Sequence, residues 1–459
     1  MTPSLAACAS DAERRIHFVG VAGAGMSALA QYRAFGAGRT SGSDRAFDRG
    51  QQSEEHQSLE SMGIQLFPQD GRGVDGAAAL ITSTAVEAAI PDLARAQALG
   101  IPVFHRAALL GEFVRTRPSC AVAGTSGKST VSAMVFEILR HAGQNPGLIS
   151  GGDSVLLRDE GWRGNAWRGS GPLVVEADES DGSLVQHSPE VGVVLNLHRD
   201  HIEPAAVLEL FRAFLERTGA TPIVGDEPEC APLRDGAVVC GFSEAANYRG
   251  TDFAMTQQGC SFSVRGTTVH LPLPGMHNAQ NALAAMAAAV HFGVSAALAA
   301  EALAHFRGVA RRFEIVGTHN GVRVVDDYAH NPRKIAAVVR AAQTATGRLL
   351  VLFQPHGFGP TRFMRAELSA LVPPLLRSDD LWCFAPIYDA GGSAQRDIGS
   401  EDLARDFQVA GAQATVCNPR SSFAAFAKAA ARPGDTVLVL GARDPGLADC
   451  ARSVLSSLR

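Results

Sequence analysis

A glycine-rich turn between an apolar run and a helical segment limits the folds open to this chain of 459 residues. Residues 121–130 read AVAGTSGKST, and the apolar positions of the following SAMVFEILRH have the spacing of an α-helix. A buried strand, a turn at Gly124 and Gly127, and an immediate helix are typical of α/β proteins with parallel sheets. The backbone N–H groups at such a helix start can hold phosphate oxygens.

The lysine in this turn is unusual because the chain uses arginine at almost every other basic position. Of the 41 lysine and arginine residues, only Lys128, Lys334 and Lys428 are lysines. A lysine ammonium is a compact charge and an arginine guanidinium is a planar fork, so the two are not interchangeable at a phosphate. We predict that Lys128 contacts the β- and γ-phosphates of a nucleotide and that Ser129 binds Mg²⁺. Val122 stands where the longer GxxxxGK[ST] pattern has its first glycine. The alternative to a phosphate-binding loop is an ordinary glycine turn before a helix.

Three successive blocks of the sequence alternate strand-like and helix-like segments. The first opens with IHFVGVAG and AGMSALAQYRAFG, the second with the turn described above, and the third contains VRVVDDYAH, LLVLFQP and TVLVLGARD. This alternation predicts parallel sheets with helical crossovers. We therefore predict an α/β fold with three domains, at residues 1–115, 116–313 and 314–459.

Composition and charge narrow the class of protein. The chain is 46% hydrophobic and 19% charged, as expected for packed domains, and its net charge of −5 gives no reason to expect nucleic acid or an anionic membrane as a partner. The eight cysteines include no CxxC pair, which indicates reduced thiols in a cytoplasmic protein. We expect no secretory signal and no membrane span, and we predict a packed helix for the alanine-rich residues 282–304.

Acidic and histidine side chains follow two further apolar runs. VVEADESDG places Glu176 at the end of one predicted strand, and VVLNLHRDH places His198, Asp200 and His201 at the end of another. Ligands collect at the carboxyl ends of parallel strands, where a carboxylate can hold a metal ion between phosphates. The alternatives are a solvated acidic loop and histidines with a structural role.

A second glycine turn, GVAGAG, contains Gly20, Gly23 and Gly25. It raises the alternative of a nicotinamide-dependent dehydrogenase. Its spacing is G-x-x-G-x-G rather than the G-x-G-x-x-G of dinucleotide sites, and a glycine pattern alone is weak support for such a site. The motifs later in the chain argue against a nicotinamide-binding role for this turn.

Six motifs together resemble those of the Mur ligases, the ATP-dependent amide ligases of peptidoglycan synthesis. They are GTSGKST, EADESD, NLHRDH, GMHNAQNALAA, RRFE and DDYAHNP, in the family's order along the chain. The resemblance implies a Rossmann-like N-terminal domain for a UDP-sugar, a central phosphate-loop ATPase domain with a parallel sheet, and a Rossmann-like C-terminal domain, with closure over the nucleotide. It also implies an ADP-forming carboxylate–amine ligase that uses ATP and Mg²⁺ or Mn²⁺.

The resemblance further implies roles for individual residues. The catalytic residues would be Lys128, Glu176, His201 and Arg312, and the metal ligands would be Ser129, Glu176 and His201. The ATP-binding residues would be Gly124, Thr125, Ser126, Gly127, Lys128, Ser129, Thr130, His277, Asn278, Asn281, Arg312 and Asp327. The UDP-sugar would bind at Gly20, Gly23, Ala24, Gly25, Met26, Asp44, Ser83, Thr84, His105 and Arg106. The acid acceptor and the amino acid would be contacted by His198, Arg199, His330, His356 and Arg362.

The substrates implied by the resemblance are UDP-N-acetylmuramate and an amino acid. HFVGVAGAGMSALA followed by SGSD resembles the branch of the family that adds L-alanine. The chain departs from that branch at Ser126 and Ser129 and in QPHGFGPTRFMR, where Gly357 replaces an arginine and Arg362 matches a second arginine only if two residues are inserted. We hypothesise that Arg199 supplies the missing charge.

Other functions stay open at this point. One is a muropeptide ligase that joins UDP-N-acetylmuramate to a recycled tripeptide, or a divergent homologue with another acid acceptor. Another is a regulator that binds UDP-sugar or ATP without turnover, although Lys128, Glu176 and His201 argue against it. The expected assembly is a monomer or a homodimer.

Overall fold

A computed structural model describes residues 4–51, 53–87, 89–179, 182–198, 203–256, 259–343, 347–389, 395–442, 444 and 446–459. Within this part, the chain divides into two compact units. The first unit contains residues 1–253, 261–271 and 277–307, and the second contains residues 254–260, 272–276 and 308–459. No helix in the described ranges is long and apolar enough to cross a membrane.

The N-terminal sheet is parallel and has β1 at its centre. Its elements are α1 (Leu5–Ser10), β1 (Ile16–Val19), α2 (Ala24–Phe35), β2 (Thr40–Ser43), α3 (Arg45–Asp48), α4 (Ser53–Ser61), β3 (Gln65–Phe67), β4 (Ala79–Thr82), α5 (Pro91–Leu99), β5 (Val103–His105) and α6 (Arg106–Arg115). The strand order is β3-β2-β1-β4-β5. The chain leaves β1 to one side and returns on the other, so the turn after β1 lies where ligands bind in such sheets.

The central sheet is larger and is parallel around β6. Its elements are β6 (Ser119–Ala123), α7 (Lys128–His141), β7 (Gly147–Ile149), α8 (Val155–Asp159), β8 (Ala166–Trp167), β9 (Leu173–Glu176), β10 (Val191–Val194), α9 (Pro204–Glu216), β11 (Thr221–Gly225), β12 (Val238–Gly241), β13 (Tyr248–Thr256), β14 (Gly259–Val264), β15 (Thr267–Leu271), α10 (Met276–His291) and α11 (Ala296–Ala304). The order is β15-β14-β13-β12-β11-β10-β6-β9-β7-β8. Strand β6 pairs in parallel with β10 and β9, so the ends of all three strands meet at one edge.

The C-terminal sheet belongs to the second unit. Its elements are β16 (Glu314–His319), β17 (Val322–Asp327), α12 (Pro332–Ala342), β18 (Leu349–Gln354), α13 (Phe358–Leu371), β19 (Leu381–Phe384), α14 (Ser400–Val409), β20 (Gln413–Val416), α15 (Ser422–Ala430), β21 (Thr436–Gly441) and α16 (Gly446–Ser457). The order is β16-β17-β21-β18-β19-β20, with β16 antiparallel to β17 and the other pairs parallel.

Buried apolar side chains explain why these segments fold as they do. In the first unit one continuous cluster joins the N-terminal and central sheets and includes Phe18, Tyr32, Phe113, Val175 and Phe211. In the second unit, separate clusters contain alternate residues of the sheet strands. The predicted α/β fold with parallel-rich sheets is thereby confirmed, while the boundaries at 115/116 and 313/314 stay predictions.

One helix prediction was wrong in its extent. Residues 282–304 form parts of α10 and α11 rather than a single helix. Gly293 lies between them with a φ angle of +81°, a left-handed conformation that ends a helix without strain at glycine. Both helices are nevertheless packed, since most residues of α10 are buried and α11 buries Ala299, Ala300, Ala302 and Leu303.

Candidate functional site

The loop between β6 and α7 has the geometry expected of a phosphate-binding loop. Strand β6 ends at Ala123 and α7 begins at Lys128. Gly124 and Gly127 have φ angles of +138° and +87°, which residues with a Cβ rarely adopt. No described side chain caps α7 at Gly127. The N–H groups of the first helical turn and the positive end of the helix dipole are therefore directed at the loop.

Asn196, just beyond the end of β10, ties the loop to the sheet. Its Oδ1 accepts hydrogen bonds from the Thr125 hydroxyl and the Ser126 N–H, each at 2.9 Å, and its Nδ2 donates to the Ser126 carbonyl at 3.1 Å. The Thr125 hydroxyl in turn accepts from the N–H of His198 at 3.0 Å. The sequence interpretation did not single out Asn196, although its position directly after an apolar strand-like run was a usable signal.

Lys128 lies in a strongly acidic environment. Its Nζ donates to the Gly124 carbonyl at 2.8 Å and to Glu179 Oε2 at 2.6 Å, and Asp178 Oδ1 lies 3.9 Å away. Burial lowers the pKa of Lys128, but the carboxylates of Glu179, Glu176 and Asp178 outweigh burial and hold that pKa above its ordinary value. The lysine is therefore a charged group directed into the loop.

Glu176 connects the loop to the neighbouring strands. Its Oε2 accepts hydrogen bonds from the Ser129 hydroxyl at 3.0 Å, the Ser150 hydroxyl at 3.1 Å and the Gly151 N–H at 2.8 Å. Among the described residues, no group of three or more His, Cys, Asp and Glu side chains could hold a metal ion. The hydroxyl and carboxylate oxygens of Ser129 and Glu176 are nevertheless the hard donors that Mg²⁺ takes together with phosphate and water oxygens. The third predicted ligand, His201, lies outside the described residues.

The start of α10 lies against the same loop. A Cβ placed on Gly127 would be 2.6 Å from Asn281 Oδ1, so this asparagine contacts the turn itself. Asn278 is also buried, and its Oδ1 lies 3.5 Å from Asn281 Nδ2, whereas His277 is exposed. Their proposed place beside adenine stays a prediction.

A pocket of about 560 Å³ begins at the carboxyl end of β1 and extends to the carboxyl end of β9. Nearly all of the residues predicted to bind a UDP-sugar line it, namely Gly20, Gly23, Ala24, Gly25, Met26, Asp44, Ser83, Thr84 and Arg106. Its wall also includes Ser150, Gly151, Glu176 and Asp178. The pocket therefore reaches the carboxylate that contacts the phosphate loop.

The remaining predicted residue of this group lies beside the pocket. His105 caps α6, and its Nδ1 accepts from the N–H of Ala107 at 3.3 Å. Other lining residues, including Arg45, Gln69 and His187, were missed because they come from separate loops that only the strand order brings together.

Two contacts shape the pocket wall. Asp44 accepts hydrogen bonds from the N–H groups of Ala22 and Ala46 at 3.0 and 2.8 Å, so its carboxylate orders the two loops that form the pocket edge. A Cβ on Gly25 would lie 2.7 Å from Nη1 of Arg106, so a side chain at this position would require the guanidinium group to shift.

In the second unit, Asp327 and Arg312 lie at the carboxyl end of β17. Asp327 accepts hydrogen bonds from the N–H groups of Phe313 at 2.6 Å and Ala329 at 2.7 Å. Burial raises the pKa of Asp327, and Arg312 and these N–H donors only partly offset it. The guanidinium carbon of Arg312 lies 5.2 Å from the centroid of the Tyr328 ring, a cation–π distance.

The predicted acceptor residues come from both units. The rings of His330 and His356 lie 5.2 Å apart in the second unit. Arg362 is paired with Asp397 on the protein surface. In the first unit, His198 Nε2 lies 2.8 Å from Glu227 Oε2. Arg199 lies outside the described residues, so its proposed compensating charge stays a hypothesis.

Comparison with known proteins agrees with this architecture. Three family models match in succession: the Mur ligase family catalytic domain at residues 15–118, the Mur ligase middle domain at 122–289, and the Mur ligase glutamate ligase domain at 311–443. The chain is 35% identical to the UDP-N-acetylmuramate–L-alanine ligase of Symbiobacterium thermophilum, over 94% of this chain and 92% of the relative. It is also 35% identical to the enzyme of the same name from Thermobifida fusca, over 94% of each chain.

Solved structures show the same similarity. The UDP-N-acetylmuramate-alanine ligase of Thermotoga maritima superposes with a TM-score of 0.81 at 25% identity, over 97% of this chain and 99% of that one. A murein peptide ligase from Psychrobacter arcticus shares the fold with a TM-score of 0.67 at 20% identity, over 97% and 98% of the two chains. With the phosphate loop, its carboxylate and the matches along nearly the whole sequence in agreement, this chain belongs to the Mur ligase family.

Proposed function

We propose that this chain joins L-alanine to the carboxylate of UDP-N-acetylmuramate and converts ATP to ADP and phosphate. The observation that carries the proposal is the continuity of the pocket with the phosphate loop. The pocket starts at the glycine turn after β1 and ends at Glu176, whose Oε2 lies 3.0 Å from the hydroxyl of Ser129. A nucleotide-sugar bound in this pocket would present its acid group beside the terminal phosphate of ATP.

The chemistry requires charge stabilisation more than covalent help from the protein. The acid carboxylate attacks the γ-phosphorus, ADP leaves, and an acyl phosphate forms. The amine then attacks the acyl carbon, and the tetrahedral intermediate expels phosphate to leave an amide. Both steps concentrate negative charge, so cations and N–H donors that are already in position lower the barrier. Lys128 and the N–H groups at the start of α7 are suited to this task.

The donors at the loop fit a magnesium ion. Ser129 and Glu176 would hold it, and it would neutralise charge on the phosphate oxygens. Ser150 and the N–H of Gly151 orient the same Glu176 oxygen, so they fix the direction in which this carboxylate presents its lone pairs. We include His201 as a further ligand of the metal only because of the resemblance to the Mur ligases.

A second candidate is the same ligation with a different amine. It is favoured by Gly357, which stands at the position of a family arginine, and by the engagement of Arg362 with Asp397. Neither residue offers the unpaired positive charge that would hold the carboxylate of L-alanine in the way the resemblance implies.

A phosphate-release assay with a panel of acids and amines tests these proposals. We expect release only when ATP, UDP-N-acetylmuramate and L-alanine are all present, and loss of release in Lys128→Ala by on the order of a thousandfold. Phosphate release with another amine, or only with a tripeptide, would show that this compound rather than L-alanine is the substrate. Nucleotide binding without turnover for any pair of substrates would contradict the ligase proposal.

A further inference from the structure

The ammonium group of Lys128 already has a carboxylate partner at the place where a phosphate would bind. Glu179 Oε2 lies 2.6 Å from Lys128 Nζ, and the two side chains are only 12% and 14% exposed. Such a short, mostly buried contact is a strong charge-assisted hydrogen bond. It involves the residue that the proposed function assigns to the phosphates of ATP.

The remaining hydrogen-bonding capacity of Lys128 is limited. An ammonium has three N–H donors, and two of these are directed at Glu179 and at the carbonyl of Gly124. The nearby carboxylates of Glu176 and Asp178 add negative charge to the same small region. A triphosphate entering the loop would meet these charges at short range, where repulsion is strong.

We propose that Glu179 is a resident counter-anion of Lys128 that the nucleotide phosphates must displace. This inference rests on the proposed role of Lys128 as a phosphate ligand. The carboxylate holds the ammonium in place in the free protein and weakens nucleotide binding by the strength of that contact.

The first test measures the Kd of ADP, and of ATP without the other substrates, by titration calorimetry. We expect Glu179→Gln to bind both nucleotides roughly fivefold or more tightly than the wild type, because the amide removes the competing charge. Glu160→Gln is the matched control, since it removes the same charge from a more exposed glutamate that pairs with Arg140 in the last turn of α7, away from the phosphate loop. It should change the Kd by less than about twofold.

The outcomes separate this inference from the function on which it rests. An unchanged or weaker Kd in Glu179→Gln, with normal binding by the wild type, overturns the counter-anion and leaves the ligase proposal intact. Equal tightening in both variants also overturns it, because the effect would then come from net charge alone. A wild type that binds no nucleotide overturns both proposals.

A second measurement keeps the inference testable if the substitution impairs folding. The chain has three lysines, so acylation by an amine-reactive reagent can be followed at each site by mass spectrometry. In the wild type, Lys128 should react more slowly than the exposed Lys428. Glu179→Asp keeps the charge but withdraws the carboxylate from Lys128 Nζ, so Lys128 should react faster in this variant, and faster still in folded Glu179→Gln. A Lys128 rate that neither substitution alters would overturn the proposal.

Discussion

Replacing Glu137 by glutamine should stabilise the first unit, and the gain should grow as the pH rises. Glu137 lies in α7, the helix that begins at the phosphate loop, and is 7% exposed. Burial raises the pKa of Glu137 from 4.5 to about 8, and the N–H of Arg307, at 3.3 Å from Oε2, offsets only part of that effect. The folded protein therefore keeps this carboxyl group protonated at neutral pH.

The magnitude follows from linkage between protonation and folding. Between pH 4.5 and 8 the unfolded chain loses the proton and the folded chain keeps it. The free energy of unfolding then falls as pH rises, by at most about 1.4 kcal/mol per pH unit. Glutamine has the shape of the protonated acid and does not ionise. Its advantage should be at most about 0.8 kcal/mol at pH 5 and about 3.4 kcal/mol at pH 7.

Urea unfolding at pH 5, 6 and 7, followed by far-ultraviolet circular dichroism, measures this difference. Glu160→Gln is the control, because Glu160 is a more exposed acid that pairs with Arg140 at 2.8 Å. That variant should differ from the wild type by less than about 1 kcal/mol at each pH. A Glu137→Gln advantage that stays constant over this range would refute the reasoning, since Glu137 would then ionise in the folded protein as it does in the unfolded chain.

Two further predictions concern the glycine turns. Gly127→Ala should raise the KM for ATP by on the order of tenfold, because its Cβ would lie 2.6 Å from Asn281 Oδ1 at a φ of +87°. Gly143→Ala, at a φ of +74° with open space around it, controls for backbone strain and should leave that KM unchanged. Gly25→Ala should raise the KM for UDP-N-acetylmuramate by roughly tenfold and leave the Kd of ATP unaltered, because its Cβ would displace Arg106. Steady-state kinetics and titration calorimetry distinguish these outcomes, and a Gly25→Ala effect on the Kd of ATP would contradict the separate roles of the two turns.

Local sequence patterns predicted the strand–glycine–helix units correctly because each unit depends on neighbouring residues. The turns that follow β1 and β6 lie where the sequence placed them. Hydrogen bonds between residues that are distant in the sequence could not be predicted in the same way. Asn196 holds Ser126 through the pairing of β6 with β10, about 70 residues apart in the chain, and no local periodicity encodes that register. The lining residues Gln69 and His187 were missed for the same reason.

Val122, which replaces the first glycine of the GxxxxGK[ST] pattern, shows how the register between paired strands positions the site residues. Val122 is fully buried and still belongs to β6, where it pairs with Glu176 on one side and Val193 on the other. Its carbonyl accepts the N–H of Ala177 at 2.8 Å, so the pairing continues to the residue just before Asp178. A glycine at this position would weaken the strand that aligns β6 with β9. Because Val122 extends the strand, the end of β9 is aligned with the start of α7, and Glu176 comes within 3.0 Å of the hydroxyl of Ser129. Compared with the GxxxxGK[ST] pattern, this loop therefore has a strand residue, Val122, in place of one glycine, and that strand residue positions the Glu176 carboxylate.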